Sequence, residues 1–326
     1  MAARKSIVRL ILGSLISLVF LVLAVRGIQW SEFISVLGRT HYWYLIPAAG
    51  LTILGHYIRA YRWKYILLPV KRIATWSLFS STMIGMMANN ILPVRIGELL
   101  RVYAIGRSES ISVSASFATI VYERLVDVFG LLVLLWLMLL RSEGPAWLQR
   151  AGFVILAVNA ALLVFLILLE RYKDIIGKLW QRLGRPLPDK ARRKVGDIIE
   201  SFSGGLRTLR DKNVILPIIG TSVLIWLAPI LRVYICFLAL DLQLPLFAAI
   251  SVLVLTTIGS MIPSAPGYIG TTQYACVISL GLFGIGNGEA LAYSVLLHLT
   301  QIVPNVIVGL YFMWRAGMSF GDVPEK

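Results

Sequence analysis

Arg95, Glu98 and Arg101 stand within seven positions of one another in PVRIGELLRVY, and they end a stretch that carries no charge from Ile73 to Val94. Farther along, Ser116, Thr119, Glu123 and Asp127 recur at intervals of three and four, with Arg124 beside Glu123. They make one polar stripe on an otherwise apolar helix. Arg232 is alone in the apolar run 214–240. A charge at the centre of a bilayer costs about 2.5–3.5 kcal/mol on insertion scales, so such groups need partners there. Arginine suits phosphate because its planar fork donates paired hydrogen bonds and stays protonated when partly dehydrated. Arg95, Arg101, Arg124 and Arg232 are therefore candidate ligands for an anionic head group, with Glu98, Glu123 and Asp127 orienting them. The competing account is that these groups are buried ion pairs that only pin helices together.

The elements that must position them are membrane helices. Of 326 residues, 58% are hydrophobic and 14% charged, too apolar for a soluble domain of average usage. Several apolar runs exceed the roughly 18 residues that mark a candidate span. The apolar part of the amino end, 7–25, is long enough to cross, and no small-x-small cleavage site precedes Arg26, so it reads as a first transmembrane helix. The net charge of +15 lies mainly between apolar segments, where it orients the chain and meets anionic lipid rather than nucleic acid. Cys236 and Cys276 fit no metal or redox spacing, and the three histidines form no ligand pattern. No phosphate-cradling Gly-x4-Gly-Lys-Ser/Thr loop is present. No cofactor, metal or nucleotide is expected.

Basic residues mark the cytoplasmic side, which places the amino terminus inside. The segment 43–67 returns, with His56, Arg59, Arg62 and Lys64 toward its inner end, where snorkelling accounts for them. If 74–92 crossed, Arg101 and Arg107 would lie outside. A hairpin over 74–107 that turns at Asn89-Asn90-Ile91-Leu92-Pro93 keeps them inside, and its irregular backbone should line a cavity that Asn89 and Asn90 face. The segment 111–140, capped by Ser112, runs outward and 150–169 returns. Between Arg171 and Lys212 stand twelve Lys or Arg against five Asp or Glu, an amphipathic cytoplasmic loop. The run 214–240 goes out, an uncharged second hairpin over 244–284 turns around MIPSAPGYIG, and 290–314 ends inside.

Two hairpins inserted from opposite faces are what an inverted duplication produces. Pro93 to Gly97 has the spacing of Pro263 to Gly267 and of Pro266 to Gly270, so these prolines and glycines are the candidate hinges and turns. Ser294, His298, Gln301 and Asn305 repeat the polar stripe. Aligning Arg124 with His298 also aligns Asp127 with Gln301 and brings Glu98 within one residue of Gln273; the second copy is a neutralised first. Asn89, Asn90, Gln273, His298, Gln301 and Asn305 complete the predicted substrate lining. The expected fold is an all-α polytopic membrane protein, one integral membrane domain over 1–326, with about six transmembrane helices and two re-entrant helical hairpins in an inverted repeat. Its halves are 1–170 and 213–326, and both termini lie on the cytoplasmic side of the inner membrane.

LPVRIGELLRVY, SASFATIVYERLVDVFGLL and IPSAPGYIG together resemble the transmembrane region of the lysylphosphatidylglycerol synthases and the flippase-like membrane family that shares it. The resemblance covers essentially the whole chain. It implies movement of a phospholipid between leaflets, with aminoacyl transfer belonging to a separate cytosolic domain. Gln273 and His298 stand where that family often has Glu and Arg. The chain ends at Lys326, soon after its last predicted span, so lysine transfer is not expected. The expected function is a lipid flippase or lipid-phosphate translocase, not an enzyme, whose partners are membrane lipids with anionic head groups. The alternatives are an intramembrane enzyme acting on a lipid phosphate, and a scaffold or small-anion transporter for envelope biosynthesis.

Overall fold

Helix length sorts the chain into elements that can cross a bilayer and elements that cannot. The computed structural model describes residues 2–68, 70–92, 96–141 and 212–319, with isolated positions from 150 to 172. The predicted span 150–169 is described only at such positions, and the basic loop 171–212 falls outside the described residues but for Tyr172 and Lys212. All regular structure among the described residues is helical: α1 Ala2–Val25, α2 Trp30–Arg39, α3 Leu45–Leu67, α4 Thr75–Ile91, α5 Gly97–Glu109, α6 Val113–Arg141, α7 Lys212–Ala239, α8 Leu246–Met261, α9 Thr271–Gly281 and α10 Asn287–Arg315.

At 1.5 Å per residue, α7 and α10 reach roughly 42 Å, beyond the ~30 Å hydrocarbon core. Both are long and apolar enough to cross a membrane, and α1 with α2, bent by 87° between them, forms a third candidate. The bend sits at Gly27, whose φ of +76° suits glycine; α2 itself lies where the sequence predicts only a connection. Leu216 and Val223 on α7 and Ile307 and Trp314 on α10 are exposed, as lipid-facing surfaces require. By contrast α4 and α8, with 17 and 16 residues, reach only about 25 Å, and α5 and α9 are shorter still. These four occupy the stretches predicted as hairpins.

The chain forms two compact units. The first contains Met1–His56, Met83–Glu98 and Ile225–Lys326; the second contains Tyr57–Thr82 and Leu99–Leu224. Within the first, α8 packs on α9, α9 on α10, α1 on both α9 and α10, and α10 on α2. The chain turns back after α4 because Gly97 nests against the Gly85 carbonyl and the Asn89 side chain, where a Cβ would collide. Asn89 Oδ1 accepts the Gly97 N–H at 2.8 Å, which satisfies an otherwise orphaned helix-start donor. The second pair is built alike. Pro266 opens a short 3-10 turn, and Gly270 begins α9 with its N–H donated to Gln273 Oε1 at 2.7 Å. The second turn reaches the end of α4: a Cβ on Gly267 would lie 3.4 Å from the Asn90 carbonyl oxygen.

The second turn is anchored by α1, since Ser17 Oγ accepts the Ala265 N–H at 2.8 Å. Gly270 combines a φ of +91° with a Cβ direction that runs into the Ser17 backbone. Gly270→Ala should therefore lower stability by roughly 2 kcal/mol or more. Gly281→Ala, at a site with open space around it, should change it by less than about 1 kcal/mol. Melting of the detergent-solubilised protein checks the contrast.

Candidate functional site

The polar stripe of α6 faces inward: Ser116, Thr119 and Glu123 are wholly buried, and Asp127 is nearly so. Two carboxylates one helical turn apart then collect four guanidinium groups. Arg101, on α5, meets Glu123 through both nitrogens at 3.0 Å, the bidentate geometry that planar guanidinium favours. The same Arg101 lies over the Trp63 ring at 3.8 Å, and the Trp63 indole N–H donates to Thr119 Oγ1 at 2.9 Å, so an aromatic floor fixes the cation. From α3, Arg59 donates to Glu123 at 3.2 Å and to Asp127, while Arg62 donates to Asp127 at 2.5 Å and to Ser222 Oγ at 3.0 Å. Arg124 closes the set at 2.9 Å from Glu123 and 3.4 Å from Asp127. All of these groups belong to the second unit.

Burial grades across the cluster. The side chains of Arg62 and Arg101 are at most 1% exposed, Arg59 is 16% and Arg124 is 39% exposed, so the assembly has a closed floor and an open edge. Arg62 Nε and Ser116 Oγ are buried with no hydrogen-bond partner among the described residues. Each is a polar group whose full desolvation cost the chain leaves unrelieved.

In the first unit the α10 stripe makes a neutral counterpart. His298 Nδ1 and Gln273 Nε2 are 2.9 Å apart. Gly270 N–H can only donate, so Gln273 turns its oxygen to Gly270 and its NH2 to His298, which makes Nδ1 the acceptor. Gln301 Oε1 accepts from Arg232 at 3.2 Å, and Asn305 Oδ1 lies 2.9 Å from His56 Nε2. Pro304 lacks an N–H, so the Thr300 carbonyl has no intrahelical donor. The Thr52 hydroxyl supplies one at 2.9 Å.

Of the predicted site residues, Arg101, Glu123, Arg124 and Asp127 come together in one network. Arg232, Gln273, His298, Gln301 and Asn305 form the other set. Glu98 is half-buried in the first turn of α5, Asn89 serves the turn itself, and Asn90 donates to the Met86 carbonyl at 2.7 Å. Pro93 and Arg95 lie outside the described residues. Arg59 and Arg62, read from sequence as snorkelling interface residues, instead join the network: Arg62 is wholly buried against Asp127. Their signal was present, because His56, Arg59 and Trp63 fall at helical spacing along one face of α3. Ser112, predicted as a cap, does accept the Ala115 N–H, at 3.4 Å.

A helical, strongly apolar chain that sequesters ionic groups between helices is an integral membrane protein. The family model for the lysylphosphatidylglycerol synthase transmembrane region matches residues 10–309, and the chain belongs to that family. Among curated relatives, a UPF0104 membrane protein of Methanothermobacter thermautotrophicus is 28% identical over 68% of this chain and 70% of its own length. UPF0104 membrane protein MJ1595 of Methanocaldococcus jannaschii is 26% identical over 92% of each. The glycosyltransferase AglD of Haloferax volcanii is 23% identical over 98% of this chain, which spans 56% of that protein. No solved structure matches.

Removing one partner of a buried ion network strands the others. Glu123→Ala should thus cost roughly 3–5 kcal/mol, whereas Arg124→Gln, at the exposed edge, should cost less than about 1 kcal/mol. Thermal melts of the two variants in detergent decide this.

Proposed function

We propose that the protein moves an anionic lipid, held by its phosphate, between the two leaflets of the cytoplasmic membrane. The coarser part of this reading, a membrane protein that handles lipid or glycan substrates, is supported by the family match and by the relative named as a glycosyltransferase. The finer part rests above all on one observation. Arg59, Arg62, Arg101 and Arg124 are gathered on two buried carboxylates, and the most exposed of them stands at the edge of the cluster. Carboxylates hold the guanidinium groups in place before substrate arrives, so a phosphate meets preorganised donors with little reorganisation. Asp127 and Glu123 orient; Arg124, with Arg95 as its predicted companion, contacts the head group. Lipid tails remain in the bilayer throughout.

The short helix pairs support a route. α4, α5, α8 and α9 are each too short to cross, and the turn before α9 reaches the end of α4 within the first unit, at Gly267 and Asn90. In this reading both pairs are re-entrant hairpins, inserted from opposite faces among about six spanning helices. Their alternate displacement opens the site to each leaflet in turn, as in transporters built from inverted repeats. The route needs no nucleotide.

Purified protein in liposomes containing a labelled lipid should transfer it faster than empty vesicles do. Arg124→Gln should slow that transfer by about tenfold, the worth of one charged hydrogen bond, with an unchanged melting temperature. If neither anionic phospholipids nor isoprenoid phosphates are transferred above the empty-vesicle rate, the reading fails. A changed substrate mass after incubation would move it to the enzyme class instead.

A further inference from the structure

Arg232 sits differently from every arginine of the cluster. It is more than nine-tenths buried, at 8% exposure, on α7 within the first unit. Its guanidinium donates to the Leu297 carbonyl at 3.2 Å, to Thr300 Oγ1 at 3.3 Å and to Gln301 Oε1 at 3.2 Å. All three acceptors are neutral, and among the described residues no carboxylate lies within ion-pair distance of it. Charge-assisted hydrogen bonds ordinarily close to about 2.7–2.9 Å. These contacts are longer than any direct bond of Arg62 or Arg101 to its carboxylate.

The repeat shows what is missing. In the second unit Arg59 of α3, which the same offset brings within one residue of Arg232, donates to the carboxylate of Asp127 on α6. In the first, Arg232 of α7 donates to the amide of Gln301 on α10, the position that the repeat offset pairs with Asp127. The contact persists and its negative charge does not. A buried cation on neutral partners is costly unless an anion completes it. The neighbouring donors an oxyanion would use are the guanidinium and the Gln301 NH2; the Thr300 hydroxyl already gives its hydrogen to the Leu297 carbonyl at 2.6 Å.

We propose that Arg232, with Gln301, is a second anion site, built to take one phosphate group and made of residues separate from the arginine cluster. It deepens the lipid-phosphate reading, on which it rests for its ligand class, by adding a second phosphate-binding site. Gln301 is its specificity-determining residue, because a carboxylate there would neutralise Arg232 internally and exclude the ligand.

The test uses the full chain in phosphatidylcholine nanodiscs and counts bound equivalents of a radiolabelled short-chain phosphatidic acid. The unsubstituted protein should bind two. Gln301→Glu should bind one and melt no lower, because it supplies the missing counter-charge. Arg232→Gln should also bind one, while Arg232→Lys should keep the second equivalent at about tenfold weaker affinity, a point charge replacing a fork. Competition by inorganic phosphate separates the sources: displacement of the second equivalent assigns the site to the free anion, and persistence assigns it to the lipid. One equivalent in the unsubstituted protein that Arg232→Gln still binds, or two in Gln301→Glu, overturns the proposal. Liposome transfer is read separately. Two equivalents without transfer would keep this site and remove the translocation reading, whereas transfer with a single equivalent that Arg232→Gln retains would remove this site alone.

Discussion

The ion network on α6 is the constraint from which the second unit follows. Glu123 and Asp127 are buried in a helix long enough to span a bilayer, and neither can remain charged there without cations brought by other elements. Arg59 and Arg62 from α3 and Arg101 from α5 fill that need, and Ser222 of α7 adds a hydroxyl to Arg62. Each of these helices must therefore pack against α6 at a definite height. Buried ion pairs seldom stabilise a protein more than apolar packing of the same volume would, so what the cluster fixes is the register of the helices that meet in it.

The first unit solves the same geometric problem with amides. Gln273, Gln301 and Asn305 each reach one partner on another helix, and the direction of Gln273 is dictated by the Gly270 N–H. An amide presents an acceptor and a donor at once, so it can fasten helices without adding charge. That economy leaves Arg232 as a buried cation held only by neutral groups. The first unit thus fastens its α10 stripe through amides, whereas the second confines opposite charges around α6.

Glycine explains why the helix pairs can turn where they do. Gly97 lies against the backbone of α4, and Gly270 against the backbone of α1, distances at which any side chain would force the elements apart. Closely apposed backbones are also what allow two short helices to share an apolar environment while the turn between them finds hydrogen-bond partners. Asn89 of α4 provides one for the start of α5, and Ser17 of the neighbouring α1 provides one for the turn before α9.

Much of this was legible along the chain. Apolar run length marked the helices, and intervals of three and four marked the inward stripes of α6 and α10. The Pro266 to Gly270 spacing marked the turn before α9, since each such signal depends only on local backbone geometry. Which charge answers which was not legible. Arg62 and Asp127 are 65 positions apart, and an arginine near the end of a predicted span looks the same in sequence whether it reaches for water or for a carboxylate. Periodicity says which way a side chain points, but it does not say what stands opposite. Only the packing of α3 and α5 against α6 decided that Arg59, Arg62 and Arg101 would share two carboxylates, and only the packing of α10 against α7 left Arg232 with an amide.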